Sequence, residues 1–305
     1  MEDDQEIPQI NVLGVDAPTL AQLDEDAKAK LAEFRQIEAG EWTKKEREFL
    51  DDYTLYRYLK ARDWKFDSAR DMIVETMKWR ADFKPDEITT DMIASSIRIG
   101  GMYHHGYDKF RRPMVYLKVA DKPDPHTRLE KLQFMIFTLE QTIKRMEKER
   151  GVEKMVWCVN CKNYNFKYNG EAGFARELLS TLQNHYPERL GVLILVDAPF
   201  LFRAFWKVIS PFVDAKTLKK VVFVSGSDKD KRKVLEEYID LKDLPAVYAG
   251  DSDFVFDADE YIAWLKKGEE EEREKQAKEG EEQQEESDPD RKAKEKEAAK
   301  PASDE

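Results

Sequence analysis

The chain has 305 residues, 41% of them hydrophobic, and a formal net charge of −12, enough apolar material for one large domain or two modest ones. Between Glu269 and Glu305 sixteen acids face eight bases, which accounts for −8 of that charge and leaves −4 for everything before them. A near-neutral, slightly acidic body has no basic face with which to track phosphates, so nucleic acid is excluded as a partner.

Residues 1–17 are acidic and read as a flexible arm. Leu20, Leu23, Ala27, Leu31 and Phe34 then recur at three- and four-residue steps, the stripe of an amphipathic helix that Gly40 ends. Thr43 with Glu46 three residues on is a capping box and opens a second helix. Leu55, Tyr58 and Leu59 share one face of a third. Asp67 is expected to cap a fourth that carries Ala69, Met72, Ile73, Thr76 and Trp79. Residues 18–84 are therefore expected to form an N-terminal helical lobe, closed by Pro85.

Beyond it the pattern changes. Met114–Val119, Met155–Cys161, Leu190–Val196 and Lys220–Val224 are short apolar runs rich in branched and aromatic residues, separated by helical patterns, which indicates a mainly parallel sheet covered by helices. Leu129, Leu132, Ile136, Leu139, Ile143 and Met146 form one stripe of a helix expected over residues 129–150, lying on the sheet. Residues 85–268 are read as this second domain. Residues 269–305 hold no aromatic residue and no Leu, Ile, Val or Met, so they are read as a disordered tail with at most a transient helix, and as a candidate site for a protein partner.

Several patterns bear on chemistry. Cys158 and Cys161 are spaced C-x-x-C, but on a strand residues three apart face opposite ways, so the preferred reading is two reduced core thiols rather than a redox or zinc pair. His104 and His105, flanked by Tyr103 and Tyr107, project differently and lack spaced partners, so no metal or haem site is expected. No glycine pattern of a phosphate loop follows any strand, and no nucleophile elbow is present, so no catalytic residues and no enzymatic activity are expected. The segment 199–213 is apolar around nearly its whole helical circumference through Phe200, Leu201, Phe202, Phe205, Trp206, Val208, Ile209, Phe212 and Val213. Such a helix is either buried on all sides or meets something greasy on two of them. Finally, Tyr186-Pro187-Glu188-Arg189-Leu190-Gly191 sets an aromatic, a turn-forming proline and a carboxylate–guanidinium pair at the mouth of an apolar strand. That arrangement suits a headgroup held while its tail is buried.

This last segment, with Asp197-Ala198-Pro199-Phe200, Ser210-Pro211-Phe212-Val213-Asp214, Thr217, Lys220 and Leu244-Pro245-Ala246-Val247-Tyr248-Ala249-Gly250, resembles the CRAL-TRIO lipid-binding family, in particular its phosphatidylinositol transfer branch. Upstream, Leu55-Tyr56-Arg57-Tyr58-Leu59-Lys60-Ala61-Arg62 and Met77-Lys78-Trp79-Arg80 extend the resemblance to roughly residues 18–265. It implies an α/β fold in which a helical lobe precedes a mainly parallel sheet and flanking helices enclosing a lipid cavity. It also implies that 199–213 is a gate helix, with Phe200, Phe202, Phe205, Trp206 and Phe212 meeting cavity or membrane. Headgroup residues carried over are Arg62, Glu188, Arg189, Thr217 and Lys220: Arg189 and Lys220 for the phosphodiester and inositol, Thr217 as hydroxyl partner, Glu188 orienting Lys220, and Arg62 joining the lobe to the site. Arg203 and Lys207 add a cationic stripe to the gate.

The departures matter as well. Where family members that also bind phosphatidylcholine place tyrosines and a serine, this chain has His104, Val115, Leu139 and Met155, which form no aromatic cage for an ammonium. These four and Ile136 are expected to line the cavity, and Arg111 replaces a family glycine. The resulting expectation is a phosphatidylinositol-binding and transfer protein with bound lipid in place of a cofactor. It is expected to be a cytoplasmic monomer that docks transiently on membranes, since no leader-like run follows Met1 and no run approaches the ~20 apolar residues that span a bilayer. Lys216, Lys219, Lys229, Lys231, Arg232 and Lys233 are a candidate docking patch. The alternatives are a carrier of another hydrophobe, such as a sterol, tocopherol or retinoid, and a lipid-sensing regulatory scaffold.

Overall fold

The computed structural model describes residues 19–38, 42–99, 101–120 and 122–287. The expected arm over 1–17, the stop at Gly40 and residues 288–305 of the tail lie outside the described residues. The first helical stripe is split, because Leu23 is extended at ψ 143° after a single 3-10 turn, Leu20–Gln22. The Asp24 carboxylate then accepts the Ala27 amide at 2.8 Å and starts α1 (Glu25–Glu38). Helix α2 (Lys44–Phe49) has the expected capping box, with Thr43 and Glu46 each bonding the other's backbone amide. Asp51 caps α3 (Asp52–Ala61). Helix α4 (Phe66–Phe83) begins two residues earlier than an Asp67 cap allows: Lys65 is its N-cap, and Phe66 packs its ring 5.3 Å from Phe34. Left-handed Lys84 and then Pro85 end it. Leu31, Phe34, Leu55, Tyr58, Leu59, Met72 and Ile73 close the lobe's core.

After α5 (Thr90–Arg98) the chain enters the sheet at β1 (Met102–Tyr107) and β2 (Pro113–Lys118), an antiparallel pair. Strand β1 had no recognisable alternation, because its polar His-His-Gly centre masks a buried edge. The turn between the two strands explains the family glycine, since Arg111 sits at φ +59°, where a side chain is strained. Helix α6 (Arg128–Ile143) follows, then β3 (Met155–Asn160), α7 (Phe166–Asn169), α8 (Ala172–His185) and β4 (Leu190–Val196). Helix α6 stops before the expected Arg150, since the amides of Arg145 and Met146 turn back to carbonyls only three residues earlier. Met146 keeps the apolar spacing without the helix. Next come α9 (Phe200–Ile209), a 3-10 turn over Ser210–Phe212, α10 (Ala215–Leu218), β5 (Val221–Val224) and α11 (Asp228–Leu235).

The five strands lie in the order β1-β2-β3-β4-β5, with β2 to β5 parallel. Their register runs one row of side chains across one face: His104, Val115, Trp157, Leu193 and Val221. The opposite face carries Tyr103, Tyr116, Cys158 and Ile194, closed by the ring of Tyr248 at 5.0 Å from Tyr116. Both cysteines are free and buried. Burial raises both thiols, Cys161 to about 12, so neither is a thiolate at neutral pH.

The chain divides after Phe256. In the second unit the described residues form α12 (Ala258–Ser287), a single helix that runs on past residue 269, where the sequence reads as a disordered tail with at most a transient helix. A run of Glu, Lys, Gln and Ala is rich in helix formers, and exposed i,i+4 pairs such as Lys267–Glu271 at 3.7 Å add to it.

Candidate functional site

A cavity of about 790 Å³ opens between the Trp157 face of the sheet, α6, α8 and the segment after α9. Its apolar walls are Leu139 of α6, Leu178, Leu179 and Leu182 of α8, Met155, Trp157, Leu193 and Val221 of the strands, and Trp206, Phe212 and Val213 of α9 and the segment after it. One end is polar, with Arg62, Asp63, Glu188, Arg189, Thr217 and Lys220 in its lining. All five expected headgroup residues therefore border one space, although α3, the β4 entry and the α10–β5 turn bring them from far apart in sequence. Of the expected apolar lining, Leu139 and Met155 reach the cavity. His104 and Val115 share the Trp157 row, and Ile136 lies a turn before Leu139 on α6, but the three are buried beyond the cavity wall.

The polar end is built by tight backbone turns. Glu188 sits at φ +60°, a strained position for a side chain with a Cβ. Gly191 allows β4 to begin there, since a Cβ on it would lie 3.0 Å from both the Arg112 guanidinium and the Met155 carbonyl. The Lys220 ammonium donates to the Leu190 carbonyl at 3.0 Å. Burial lowers its pKa, with Glu188 and Asp214 opposing. The Glu188 carboxylate lies 3.8 Å from Lys60, so its close ion pair is with α3, and it acts on Lys220 only through the field between them.

Arg189 has partners of its own. Its Nη1 donates to the Glu153 carbonyl at 3.0 Å and stands 3.7 Å from the Glu153 carboxylate. That carboxylate also forms a short ion pair with Arg57, which in turn donates to Thr54 at 2.8 Å. Two guanidiniums thus share one buried carboxylate. Burial, then the neighbouring Arg57, push the Arg189 pKa down to about 9. The cluster faces a second, polar cavity of about 330 Å³ lined in part by Arg57, Arg80, Glu140, His185 and Arg189. Arg189 therefore stands in the wall between the two cavities, joining lobe to sheet, the place sequence reasoning gave to Arg62. Arg62 itself lines the larger cavity.

Helix α9 and the turn after it, the expected gate, divide their aromatics between two faces. Phe202 and Phe205 pack on Tyr164 and the sheet, and Trp206 meets Phe223 edge-on at 6.2 Å. Phe200 is 82% exposed, and Leu201, Val208 and Phe212 are also exposed, which removes the all-round core-helix reading. Arg203 folds back, donating to the Ala198 carbonyl at 3.2 Å with its guanidinium 5.2 Å from the Phe223 ring centre. The candidate lysine patch breaks up: Lys216 pairs with Asp63, Lys231 with Asp197 and Asp228, and Arg232 with Asp251. Sequence reasoning missed the whole α8 wall, whose signal was the Leu178-Leu179-Leu182 spacing. It also missed Glu153, an acid at the edge of an apolar run that gave no sign of burial.

A family model described as the CRAL/TRIO domain matches residues 98–250, and one for the CRAL/TRIO N-terminal domain matches residues 20–75. The chain belongs to the CRAL/TRIO family. It is 31% identical over 216 residues to a CRAL-TRIO domain-containing protein of Schizosaccharomyces pombe, covering 71% of this chain and 20% of that protein. The SEC14 cytosolic factor of Kluyveromyces lactis is 28% identical, with 83% of this chain and 89% of that one covered. The phosphatidylinositol transfer protein PDR17 of Saccharomyces cerevisiae is 28% identical, with 67% and 59% covered. The chain spans only 20% and 38% of the S. pombe protein and of the Aedes aegypti protein real-time. The crystal structure of Sfh5 shares the fold, at a TM-score of 0.57 and 16% identity over 82% of this chain and 99% of that one. Among the described residues no helix is long and apolar enough to cross a membrane.

Proposed function

We propose that the protein binds one phosphatidylinositol molecule in the 790 Å³ cavity and exchanges it between membranes as α9 opens and closes. The carrying observation is the cavity itself, apolar along its length and ending at Arg62, Thr217 and Lys220. A phospholipid carries some thirty methylenes, and exposing them to water costs on the order of 24 kcal/mol at ~0.8 kcal/mol each, so extraction needs a closed apolar space. Lys220 faces the phosphodiester, Thr217 supplies a hydroxyl and Arg62 adds a second cation to the lining. Arg189 positions the wall from behind, through Glu153. The exposed apolar side of α9 meets the bilayer. The reaction is carriage without turnover, in the cytoplasm, and the related transfer protein's name agrees with it.

Phosphatidylcholine is a poor ligand on this reading. Of the four positions compared with the choline site, only Leu139 and Met155 border the cavity, and neither offers an aromatic face to an ammonium. The test is mass spectrometry of co-purifying lipid, followed by paired transfer assays with labelled phosphatidylinositol and phosphatidylcholine vesicles. The expected result is phosphatidylinositol transfer that falls roughly tenfold or more in Lys220→Ala, the loss of one charge-assisted contact, with phosphatidylcholine transfer far weaker. Equal transfer of both lipids, or Lys220→Ala behaving as the native chain, overturns the reading.

A further inference from the structure

The gate's C-terminal hinge, where the 3-10 turn passes into α10, is held by one side chain of α8. The Gln183 amide nitrogen donates to the Phe212 carbonyl at 3.1 Å, while its amide oxygen accepts the Asp214 backbone amide at 2.9 Å. A primary amide both donates and accepts from one small planar head. It copies the pairing a neighbouring strand would give. Arg176, two turns earlier on α8, places its guanidinium 4.5 Å from the Phe212 ring centre, so the ring is fixed as well as the backbone.

The two residues after Gln183 bind the helical lobe. The Asn184 carbonyl accepts from the Thr76 hydroxyl at 3.2 Å, and the His185 carbonyl accepts from the Tyr58 hydroxyl at 3.2 Å. The His185 ring stacks on Trp79 at 4.5 Å between centres, with its Nδ1 3.1 Å from the Thr76 hydroxyl. Three consecutive residues in the last turn of α8 thus bind the gate hinge and the lobe. At the other hinge, before α9, Asp197 sits at φ +53° and its carboxylate pairs with Lys231 at 3.1 Å. At the C-terminal hinge the Asp214 carboxylate is taken up by the Thr217 amide at 2.8 Å within α10's own first turn, and the Phe212 carbonyl and Asp214 amide are tied to α8 through Gln183.

We propose that Gln183 is the clasp that keeps the gate shut, a positioning residue for lipid exchange that links the gate's C-terminal hinge to the helical lobe through the last turn of α8. This rests on reading α9 as the port through which lipid passes. Opening requires the Phe212 carbonyl and the Asp214 amide to leave Gln183, and both are solvated once free. The clasp therefore sets how often the hinge opens.

The experiment compares the full chain with Gln183→Met, which has similar length and neither donor nor acceptor, and Gln183→Glu, which keeps the acceptor and loses the donor. Hydrogen exchange of the Asp214 amide is the direct readout, with Ile194 in β4 as the internal reference. The expected result is Asp214 exchange faster by roughly tenfold in Gln183→Met, the effect of losing a pair of half-exposed hydrogen bonds, and by less in Gln183→Glu. Ile194 protection and the melting temperature stay native. Transfer of labelled phosphatidylinositol between vesicles is expected to be faster in Gln183→Met. Unchanged Asp214 exchange overturns the clasp, as does a loss of protection shared equally by Ile194, which marks a purely structural residue. Faster Asp214 exchange with unaltered lipid transfer upholds the clasp and overturns α9 as the port.

Discussion

Phe200 offers the most direct test of membrane docking, because four-fifths of its surface is exposed at the first turn of α9. An aromatic side chain has on the order of 150–250 Å² to bury. At about 25 cal/mol per Å², its exposed part is worth roughly 3–5 kcal/mol on full insertion among acyl chains. Phe200→Ser is therefore expected to weaken vesicle binding by roughly a hundredfold to a few thousandfold at complete insertion and less if the ring lies shallow. Because the ring makes little contact within the protein, unfolding free energy is expected to change by less than ~0.5 kcal/mol. Trp206→Ser is the contrast: that ring faces the cavity and Phe223, so it is expected to reduce lipid loading and stability before it affects docking. The assay is co-sedimentation with phosphatidylcholine–phosphatidylserine vesicles of purified, circular-dichroism-matched variants. Phe200→Ser binding within twofold of the native chain would show that this face of α9 does not enter the bilayer.

Arg189→Ala leaves Glu153 with one guanidinium instead of two and opens a void in the wall between the cavities. It is expected to lower unfolding free energy by about 3 kcal/mol, the scale for breaking a buried ion pair. A urea titration showing a change below ~1 kcal/mol would return Arg189 to a purely lipid-facing role. Acid should destabilise the fold through its histidines. Burial, then Arg80, hold His185 down to about 4, and burial first, then Arg145 and His105, hold His104 down to about 2, against an ordinary 6.5. Both are neutral in the folded and unfolded chain above 6.5, and only the unfolded chain takes up protons as the pH falls below it. Stability is thus present above 6.5 and lost toward 4, and His185→Gln should flatten that slope in thermal melts from pH 7 to pH 4.5. An unaltered slope would mean that His185 charges freely in the fold. Removing residues 269–305 should reduce the helical signal, since α12 runs to Ser287, while leaving phosphatidylinositol exchange native. Lost exchange would assign the tail a part in carriage.

Elements whose signals are local were legible in the chain. Thr43–Glu46 forms its box wherever the segment lies, and β2 to β4 announce themselves because strands largely buried on both faces are apolar throughout, while the half-buried β5 is a short apolar run. The family resemblance, rather than any local signal, grouped Glu188 and Arg189 with Thr217 and Lys220, which line one cavity. What the sequence could not contain is which partner each charged group takes. Glu188 and Arg189 are neighbours in sequence, yet the turn at φ +60° sends one toward Lys60 and the other to Glu153. Those partners are 128 and 36 residues away, brought in by α3 and by the start of β3. The same holds for α9, where composition shows that both faces are apolar and only packing decides that Trp206 turns inward while Phe200 meets solvent. It holds also for Gln183, an unremarkable residue in a helical pattern until the fold sets the gate's hinge against it. Hydrophobic period and backbone caps are short-range and survive in the sequence. Ion-pair choice, cavity walls and hinge contacts depend on long-range closure of the chain, and only the tertiary structure decides them.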